Sequence, residues 1–320
     1  MKKIAVLTSG GDAPGMNAAI RAVTRGALYH KVAVYGIERG FEGLINGEFQ
    51  ELEICSVSDT MQRGGTWLKT ARSERFMTPE GFQRALDMLE NFEIGGLVII
   101  GGDGSFRGGL KLSKAGIKVV ALPGTIDNDL TYTDYSIGFD TAVNTVLYAI
   151  GNIRDTSSSH ERGTVIEVMG RHSGALALYA GLTGGAEIIV IPEEPIDINK
   201  VCRTLVEGKN RGKQHNIVIC AEGAAINSSD LTKTIIERTG IDMRLVILGH
   251  IQRGGSPTAR DRMLASRMGY KAVEILLQEG NASKAIGIKG EQIIAYDLEE
   301  ALEVKRSYDK SIIELADIIS

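Results

Sequence analysis

The sequence predicts an α/β protein with a mostly parallel sheet, built as one or two domains. Short β-branched runs alternate along the chain with longer helical patterns, which is typical of parallel strands joined by helical crossovers. A chain of 320 residues exceeds one minimal domain and falls short of three. Glycine is also abundant, with 39 residues where average usage of about 7% would give roughly half that number.

The alternation predicts strands at residues 4–8, 97–100, 119–122, 165–169 and 217–220. It predicts helices at residues 17–30, 79–91, 140–160, 199–211 and 258–278, several with proline, aspartate or threonine near the first turn. No solenoid repeat, low-complexity tract or proline-rich linker interrupts this pattern. Composition therefore specifies a domain boundary only weakly.

Charge and hydropathy exclude several kinds of partner. The net charge is −4 and 24% of the residues are charged, so the chain lacks the basic excess that non-specific nucleic-acid binding needs. No apolar stretch reaches the roughly 18 to 20 residues of a membrane-spanning helix. The first apolar run stops at Ser9-Gly10-Gly11-Asp12, too early for a signal peptide. We therefore expect a cytoplasmic protein with no nucleic-acid or membrane partner.

The three cysteines indicate a reducing compartment. Cys55, Cys202 and Cys220 lie far apart and show no CxxC or Cys/His metal spacing. Since a free cysteine packs as a small hydrophobic residue, we expect buried structural thiols rather than catalytic ones.

Three of the predicted strands end in clusters of glycine and aspartate, at residues 9–12, 101–104 and 123–129. The carboxyl ends of parallel strands form one edge of a sheet, where ligands bind. Glycines let backbone amides approach phosphates, and a following helix presents its positive end to the anion. One such cluster alone would more often be a tight turn. Three together predict a shared phosphate site.

The same edge predicts a magnesium ion. The carboxylates of Asp103, Asp127 and Asp129 would repel a polyphosphate unless a hard cation lay between them. The glycine clusters match neither the dinucleotide fingerprint of dehydrogenases nor the Gly-Lys-Ser/Thr sequence of a Walker loop. These absences argue against both classes of protein.

From Lys3 to about Gly290 the residues resemble the bacterial-type ATP-dependent 6-phosphofructokinases. The likeness rests on segments 7–17, 64–66, 71–72, 101–105, 123–129, 169–171 and 248–257. The resemblance implies the phosphofructokinase fold, with two doubly wound domains that are each a mostly parallel sheet flanked by helices. The larger, ATP-binding domain would comprise residues 1–138 and 251–301, and the fructose-6-phosphate-binding domain residues 139–250 and 302–320.

The resemblance also implies a reaction, the committed step of glycolysis. A phosphoryl group would pass from ATP to the 1-hydroxyl of fructose 6-phosphate with the help of Mg²⁺, giving fructose 1,6-bisphosphate and ADP. Asp127 resembles the general base, and Asp103 and Asp129 the magnesium ligands. Thr125 would bond near the phosphoryl group. Arg72 and Arg171 would bracket that group.

The binding residues are also implied by the resemblance. The residues that align with ATP-binding segments are Gly11, Arg72, Ser73, Gly102, Asp103, Gly104 and Ser105. Those that align with sugar-phosphate-binding segments are Thr125, Ile126, Asp127, Arg162, Met169, Gly170, Arg171, Glu222, Arg244, His250, Ile251, Gln252 and Arg253. In the family, Arg162 and Arg244 reach in from a neighbouring subunit, so the site implies an oligomer, and the resemblance implies a homotetramer.

A second anion site is indicated by Arg21 and Arg25, which stand four apart on one face of the first helix. Taken alone, the pair indicates no more than a solvated helix face. The resemblance implies an effector site where ADP activates and phosphoenolpyruvate inhibits, which requires two quaternary states. Its residues would be Arg21, Ala22, Val23, Thr24, Arg25, Arg154, Gly185, Ala186, Glu187, Arg211, Lys213, Gln214 and His215.

The chain departs from the family pattern at several positions. Ile54 stands where an arginine often helps the effector site, and Met77 where a basic residue often lies by the adenine. Family members that use pyrophosphate typically carry aspartate at position 104 and lysine at 124. This chain has Gly104 and Gly124, which favours ATP.

Other functions remain as alternatives. The nearest is a pyrophosphate-dependent phosphofructokinase. A kinase of the related Gly-Gly-Asp-Gly type that acts on NAD or a lipid is more distant, because it would lack the sugar-phosphate arginines. A non-catalytic nucleotide sensor would have lost its base and metal carboxylates, which are all present here.

Overall fold

The computed structural model describes residues 2–278, 280, 283–304 and 310–319. Contacts between residues divide the chain into two units. Unit 1 consists of Met1–Ile126, Leu130–Thr141 and Arg253–Arg306. Unit 2 consists of Asp127–Asp129, Ala142–Gln252 and Ser307–Ser320.

Strands and helices alternate along both units. In chain order they are β1 (Lys3–Thr8), α1 (Met16–Tyr29), β2 (Ala33–Ile37), α2 (Gly40–Asn46), β3 (Phe49–Glu51), α3 (Pro79–Asn91), β4 (Gly96–Gly101), α4 (Asp103–Lys114), β5 (Val119–Pro123), α5 (Phe139–Ser159), β6 (Gly163–Val168), α6 (Ala175–Thr183), β7 (Ile188–Val190), α7 (Ile198–Asn210), β8 (Asn216–Ala221), α8 (Ser228–Thr239), β9 (Met243–Ile247), α9 (Ala259–Leu277), β10 (Lys284–Lys289), β11 (Gln292–Asp297), α10 (Leu298–Glu303) and α11 (Lys310–Ile319). Short 3₁₀ turns lie at Cys55–Val57, Arg75–Met77 and Gly249–Arg253.

Unit 1 is built on a sheet with the strand order β11-β10-β5-β4-β1-β2-β3 among the described residues. Its neighbouring strands are parallel except at β2–β3 and β10–β11. The central strands β1, β4 and β5 are buried almost throughout. Helices on both faces bury such strands, which explains why they read as continuous apolar runs.

Unit 2 is built on a smaller, wholly parallel sheet with the order β7-β8-β6-β9. Its core includes Val165, Val218, Leu205 and Leu231 from two strands and two helices. The predicted α/β class with mostly parallel sheets is confirmed. Each predicted strand and helix is present, with ends that differ by at most two residues.

The described helices pack against the sheets and are not long apolar segments. Among the described residues, the longest helix is α5, with 21 residues. It carries polar side chains along its length, including Asn144, Asn152, Arg154 and Asp155. In the part of the chain that the structure describes, no helix combines the length and the hydropathy needed to cross a bilayer.

The cysteine prediction is wrong at one position. Cys220 is buried in β8, where burial raises the pKa of its thiol to about 12, as expected for an inert structural residue. Cys202 is half-buried in α7. Cys55, however, is exposed, because the short 3₁₀ turn at its position buries only Val57.

Helix starts follow capping chemistry that can be read from the sequence. Thr78 precedes Pro79 and accepts a hydrogen bond from Gly81 N at the start of α3. Asp197 accepts hydrogen bonds from Asn199 N at 2.9 Å and Lys200 N at 3.1 Å at the start of α7. Such side chains satisfy amides that have no partner inside the helix.

Replacing Asp197 by alanine should lower the free energy of unfolding of unit 2 by about 1 kcal/mol, since two amides of α7 lose their acceptor. The matched control is Asp197→Asn, which keeps an acceptor oxygen at the same position and should behave like the unchanged protein. Urea denaturation followed by circular dichroism measures both. An equal loss in the two variants would show that the cap does not stabilise α7.

Candidate active site

Three glycine-rich loops meet at the carboxyl edge of the unit 1 sheet. Strands β5, β4 and β1 are neighbours and parallel, so the loops that follow them leave from the same edge. Ser9 N donates a hydrogen bond to Ile100 O at 3.0 Å, and Gly124 N donates one to Gly101 O at 2.9 Å. The loops are thus joined backbone to backbone.

Glycine is required at one of these positions and open space surrounds another. A Cβ on Gly101 would lie 2.4 Å from Ser9 O and 2.5 Å from Ser105 Oγ. A Cβ on Gly104 would meet no atom within 4 Å. The loops are therefore packed tightly at Gly101, while the first turn of α4 at Gly104 faces open space.

Helix α4 places its N-terminus at this edge. Gly102 is its N-cap, and no side chain caps its first amides. Such amides, together with the helix dipole, attract phosphate groups. The carboxylate of Asp103, the first residue of the helix, accepts two hydrogen bonds from Arg107, at 2.7 Å from Nε and 3.1 Å from Nη2.

The loop before α3 folds back onto the end of β1. The hydroxyl oxygens of Thr66 and Thr8 lie 2.9 Å apart, and Thr70 Oγ1 donates to Gly10 O at 2.8 Å. Arg72, further along the same loop, is exposed. The loop therefore brings the segment with Arg72 towards the Gly10 turn.

Ser73 forms a hydrogen bond with Glu42, a residue that the sequence did not mark as functional. Its hydroxyl donates to Glu42 Oε2 at 2.7 Å and accepts from Phe76 N at 3.2 Å. The bond from Ser73, with a further contribution from Arg75, lowers the pKa of Glu42. Glu42 could not be recognised beforehand, because its partners lie about thirty residues away in sequence.

Hydrogen bonds join the loop after β5 to a later segment of unit 1. Thr125 N donates to Ile137 O at 3.1 Å, and Ser136 Oγ donates to Thr125 O at 2.7 Å. Thr125 and Ile126 are both buried. The backbone of Thr125 is thereby fixed on both sides.

Asp127 and Asp129 flank a left-handed residue, Asn128, with φ of 47°. Both aspartates are half-buried. The described residues hold no group of three or more histidine, cysteine, aspartate or glutamate side chains that could bind a metal. Magnesium commonly uses only one or two carboxylates and takes its other ligands from phosphates and water. Carboxylates such as those of Asp103 and Asp129 fit that donor chemistry.

Arg253 lies against the first glycine loop. Its Nη1 donates to Asp12 O at 3.3 Å, and the same atom lies 2.5 Å from where a Cβ on Gly11 would be. The structure therefore places this arginine, for which the sequence predicts a sugar-phosphate contact, beside a predicted ATP-binding loop.

Arg21 and Arg25 share a face of α1, as predicted, and both are half-buried. Burial, and secondarily the charge of Arg25, lowers the pKa of Arg21. Two neighbouring guanidinium groups in this setting favour an anion between them. Ala22 between them is half-buried, whereas Val23 and Thr24 are fully buried. Their side chains serve the core of unit 1.

In unit 2, the carboxyl edge of the sheet gathers several predicted sugar-phosphate residues. Gln252 is fully buried; its Oε1 accepts from Met169 N at 3.1 Å and its Nε2 donates to Gly249 O at 2.8 Å. Glu222 N donates to Val168 O at 2.8 Å. The segments after β6, β8 and β9 are thus joined at one edge.

Two glycines shape the turn that carries Arg171. Gly170 has φ of 130°, and Gly223 N donates to Gly170 O at 3.2 Å. A Cβ on Gly223 would lie 2.0 Å from Arg171 O. This packing leaves Arg171 Nε at 4.0 Å from Glu222 Oε1, and Gly223 is a structural requirement that sequence reasoning missed.

Arg162 and Arg244 converge on Asp242. Arg162 Nε lies 2.8 Å and Arg244 Nη2 lies 3.5 Å from the same carboxylate oxygen. The register of β6 with β9 pairs Gly163 with Met243 and Thr164 with Arg244, so this group lies where the two strands begin, at the opposite edge of the sheet from Arg171 and Glu222. Asp242 was missed by sequence reasoning, although its position two residues before Arg244 could have suggested a counter-ion. His250 and Ile251, in the 3₁₀ turn after β9, are exposed.

Most of the predicted effector residues of unit 2 lie on adjoining segments. Arg154 Nη2 donates to Gly184 O at 2.5 Å and to Gly185 O at 3.1 Å. Lys213 Nζ lies 3.3 Å from Glu187 Oε1. The remaining contacts in this group are Ile217 N to Glu187 Oε2 at 2.6 Å, His215 Nδ1 with Ser158 Oγ at 2.8 Å, and Arg211 Nη2 to Glu207 Oε2 at 3.4 Å. Ala186 is buried and Gln214 is exposed.

A scan against family models matches the phosphofructokinase family over residues 3–276. The chain is 59% identical to the ATP-dependent 6-phosphofructokinase of Clostridium tetani and 57% identical to that of Alkaliphilus metalliredigens. Each alignment spans 320 residues and covers all of both chains.

Solved structures of phosphofructokinases share the fold. The structure from Saccharomyces cerevisiae matches with a TM-score of 0.91 and 35% identity, over 99% of this chain and 48% of that chain. This chain thus spans about half the length of the yeast chain. A pyrophosphate-dependent phosphofructokinase from Marinobacter aquaeolei matches with a TM-score of 0.86 and 23% identity, over 97% of this chain and 86% of that chain. At that identity the likeness concerns the fold alone.

Replacing Gly101 by alanine should destabilise unit 1 by about 1 to 3 kcal/mol, because the new methyl group has to displace backbone. Gly104→Ala is the matched control: it adds the same methyl group one turn away in open space and should stabilise α4 by up to about 1 kcal/mol. Thermal unfolding midpoints compare the two variants. Equal midpoints would contradict the tight packing at Gly101.

Proposed function

Because this chain belongs to the phosphofructokinase family, we propose that it is an ATP-dependent 6-phosphofructokinase. It transfers a phosphoryl group from ATP to the 1-hydroxyl of fructose 6-phosphate, which gives fructose 1,6-bisphosphate and ADP in the committed step of glycolysis. The observation that carries the proposal is the meeting of three glycine-rich loops beside the N-terminus of α4. This arrangement of backbone amides suits a polyphosphate.

The open space at Gly104 favours ATP as the phosphoryl donor. Nothing lies within 4 Å of a Cβ at this position, so an aspartate would fit there and would place its charge beside the nucleotide phosphates. Glycine leaves that space to the ligand. The names of the full-length relatives agree with this donor.

Catalysis is assigned to the loop after β5 and to two arginines. Asp127 takes the proton from the attacking 1-hydroxyl, and Thr125 donates a hydrogen bond near the transferred group. Arg72 and Arg171 stabilise the negative charge on the phosphoryl oxygens in the transition state. The fixed backbone of Thr125 supports this role, because positioning supplies much of the rate in phosphoryl transfer.

Asp103 and Asp129 are proposed to hold Mg²⁺. When bound, the ion would neutralise charge on the bridging phosphate oxygens. The ion pair of Asp103 with Arg107 is exposed on both sides, so releasing the carboxylate for another partner costs little. The ATP-binding contacts come from Gly11, Ser73, Gly102 and Ser105 as well.

Fructose 6-phosphate is proposed to bind through basic side chains and several further contacts. Arg162, Arg244, His250 and Arg253 hold the 6-phosphate. The further contacts of the sugar are Thr125, Ile126, Met169, Gly170, Glu222, Ile251 and Gln252. Because Arg162 and Arg244 would act on a neighbouring subunit, the active enzyme is an oligomer, and the resemblance to the family favours a homotetramer. Residues 1–138 and 251–301 would form the ATP-binding domain, and residues 139–250 and 302–320 the sugar-binding domain.

An effector site for ADP and phosphoenolpyruvate is also proposed. The half-buried pair Arg21 and Arg25 supplies fixed positive charge. Glu187, whose carboxylate contacts Lys213, distinguishes a nucleotide diphosphate that carries a cation from a bare anion. Ile54 is exposed and adds no charge where relatives often have arginine. The enzyme would act in the cytoplasm.

Replacing Asp127 by asparagine should lower kcat by about 10²- to 10⁴-fold, since general base catalysis typically contributes that much. The KM for both substrates should change little, because asparagine keeps the size of the side chain. Formation of fructose 1,6-bisphosphate measures the effect. Asp155→Asn, an exposed position on α5, is the control and should leave kcat unchanged; similar kcat in both variants would remove Asp127 from the mechanism.

Replacing Gly104 by aspartate should raise the KM for ATP roughly tenfold or more through repulsion of the phosphates. Gly104→Ser adds a side chain of similar reach without charge and should have a much smaller effect. Initial rates with ATP and with pyrophosphate measure both variants and the unchanged enzyme. A preference of the unchanged enzyme for pyrophosphate would overturn the donor assignment.

A further inference from the structure

A buried carboxylate lies where the N-termini of α5 and α9 meet in unit 1. Asp261, in the first turn of α9, is only 1% exposed. Its Oδ1 accepts a hydrogen bond from Gly138 N at 2.9 Å. Its Oδ2 accepts from Thr141 N at 2.8 Å and from Thr141 Oγ1 at 2.5 Å. Asp261 therefore caps the start of α5, a helix to which it does not belong.

The start of α5 in turn engages the cap of α9. Thr258, the N-cap of α9, donates its hydroxyl to Asp140 Oδ2 at 2.6 Å, and Thr258 N donates to Thr141 Oγ1 at 3.0 Å. Two positive helix ends that face each other would repel. The carboxylates of Asp140 and Asp261 offset this repulsion and join the two ends.

The segment that Asp261 contacts, residues 136–138, also forms hydrogen bonds with Thr125. Ile137 precedes Gly138; its N–H donates to Pro123 O at 2.8 Å and its carbonyl accepts from Thr125 N at 3.1 Å. Ser136 Oγ donates to Thr125 O at 2.7 Å. Residues 136–138 thus bridge the carboxylate of Asp261 to both backbone polar groups of Thr125.

This bridge has little room to shift. Gly138 has φ of 103°, and a Cβ on it would lie 2.6 Å from Cβ of Ala13. A Cβ on Gly15 would lie 2.7 Å from Ile137 Cγ2 and 3.5 Å from Cβ of Asp261. Interiors packed this closely transmit a displacement instead of absorbing it.

We propose that Asp261 is a positioning residue that, through residues 136–138, fixes the backbone of Thr125 in the geometry needed for phosphoryl transfer. The inference rests on the proposed function. Asp261 is buried, so it is not expected to contact either substrate itself. Its effect reaches the reacting atoms only through the loop that leads from Thr125 to the base Asp127.

Only an ionised carboxylate matches the donors at this position. Three hydrogens point at two oxygen atoms, and a carboxylate is a pure acceptor. Asparagine at 261 has the same shape but would direct an amide N–H₂ at one of the N–H groups. Burial raises the pKa of Asp261 to about 6, which still leaves the group ionised at neutral pH.

The test compares Asp261→Asn with Asp297→Asn. Asp297 accepts hydrogen bonds from Glu299 N and Glu300 N at the start of α10, so the control makes the same chemical change at another helix cap of unit 1. We expect Asp261→Asn to lower kcat at least tenfold while the KM for ATP stays within twofold. Amide hydrogen exchange of residues 125 and 137–141 should accelerate in the same variant. The control should show neither change.

Each of the two measurements, kcat and amide hydrogen exchange, can overturn the inference. A folded Asp261→Asn enzyme with kcat within twofold of the unchanged enzyme excludes the positioning role, as does an equal fall of kcat in the control. Unchanged exchange at residues 125 and 137–141 excludes the anchoring itself. Hydrogen exchange can be measured without turnover. If the unchanged protein forms no fructose 1,6-bisphosphate, the proposed function is wrong, and the exchange rates alone then decide whether Asp261 anchors the loop.

A second pair of variants covers the case in which Asp261→Asn does not fold. Thr141→Val removes the hydroxyl that donates to Asp261 and accepts from Thr258 N, and it keeps the shape of the side chain. Thr141→Ser keeps the hydroxyl and with it both hydrogen bonds. We expect Thr141→Val to lower kcat at least threefold and Thr141→Ser to stay within a factor of 1.5. Equal kcat in the two variants would overturn the proposal.

Discussion

The close backbone contact at the end of β4 is the constraint on which the candidate site depends. Gly101 leaves no space for a Cβ between Ser9 O and Ser105 Oγ, so the loops after β1 and β4 can pack this closely only if residue 101 has no side chain. This contact exists because the two strands are parallel neighbours. It fixes the start of α4 and leaves Gly104 facing open space, which is what a polyphosphate ligand requires.

The two sheets present different chemical groups at their edges. The edge of the unit 1 sheet presents backbone amides and hydroxyl groups, which suit the phosphates of a nucleotide. The unit 2 sheet carries charged side chains at both edges. Arg171 lies near Glu222 at the carboxyl edge, whereas Arg162 and Arg244 contact Asp242 at the amino edge, where β6 and β9 begin. In both units, glycines with no room for a Cβ allow the loops at the strand ends to pack closely. The side chains at these ends then determine which ligand can bind.

Much of the fold could be predicted because it depends on local patterns. Buried parallel strands appear as continuous apolar runs, and the helix starts at Thr78, Asp197 and Thr258 are marked by their own capping residues. The residues that escaped prediction act over long range. Asp261 bonds to Thr141 across 120 positions of sequence, and no pattern marks such a pair. The exposure of Cys55 depended likewise on a short turn that periodicity cannot resolve.

The loop that reaches from Gly64 to Arg72 contains Trp67, which is the only tryptophan of the 320 residues. Its backbone N–H donates to Asn17 Oδ1 at 2.9 Å, and Asn17 Nδ2 donates back to Arg63 O at 3.0 Å. The backbone of Trp67 is therefore attached to the beginning of α1 from within a loop that also contacts the Gly10 turn. Light absorbed at the red edge of the protein spectrum excites this one indole ring, so its emission reports on a single loop without any label.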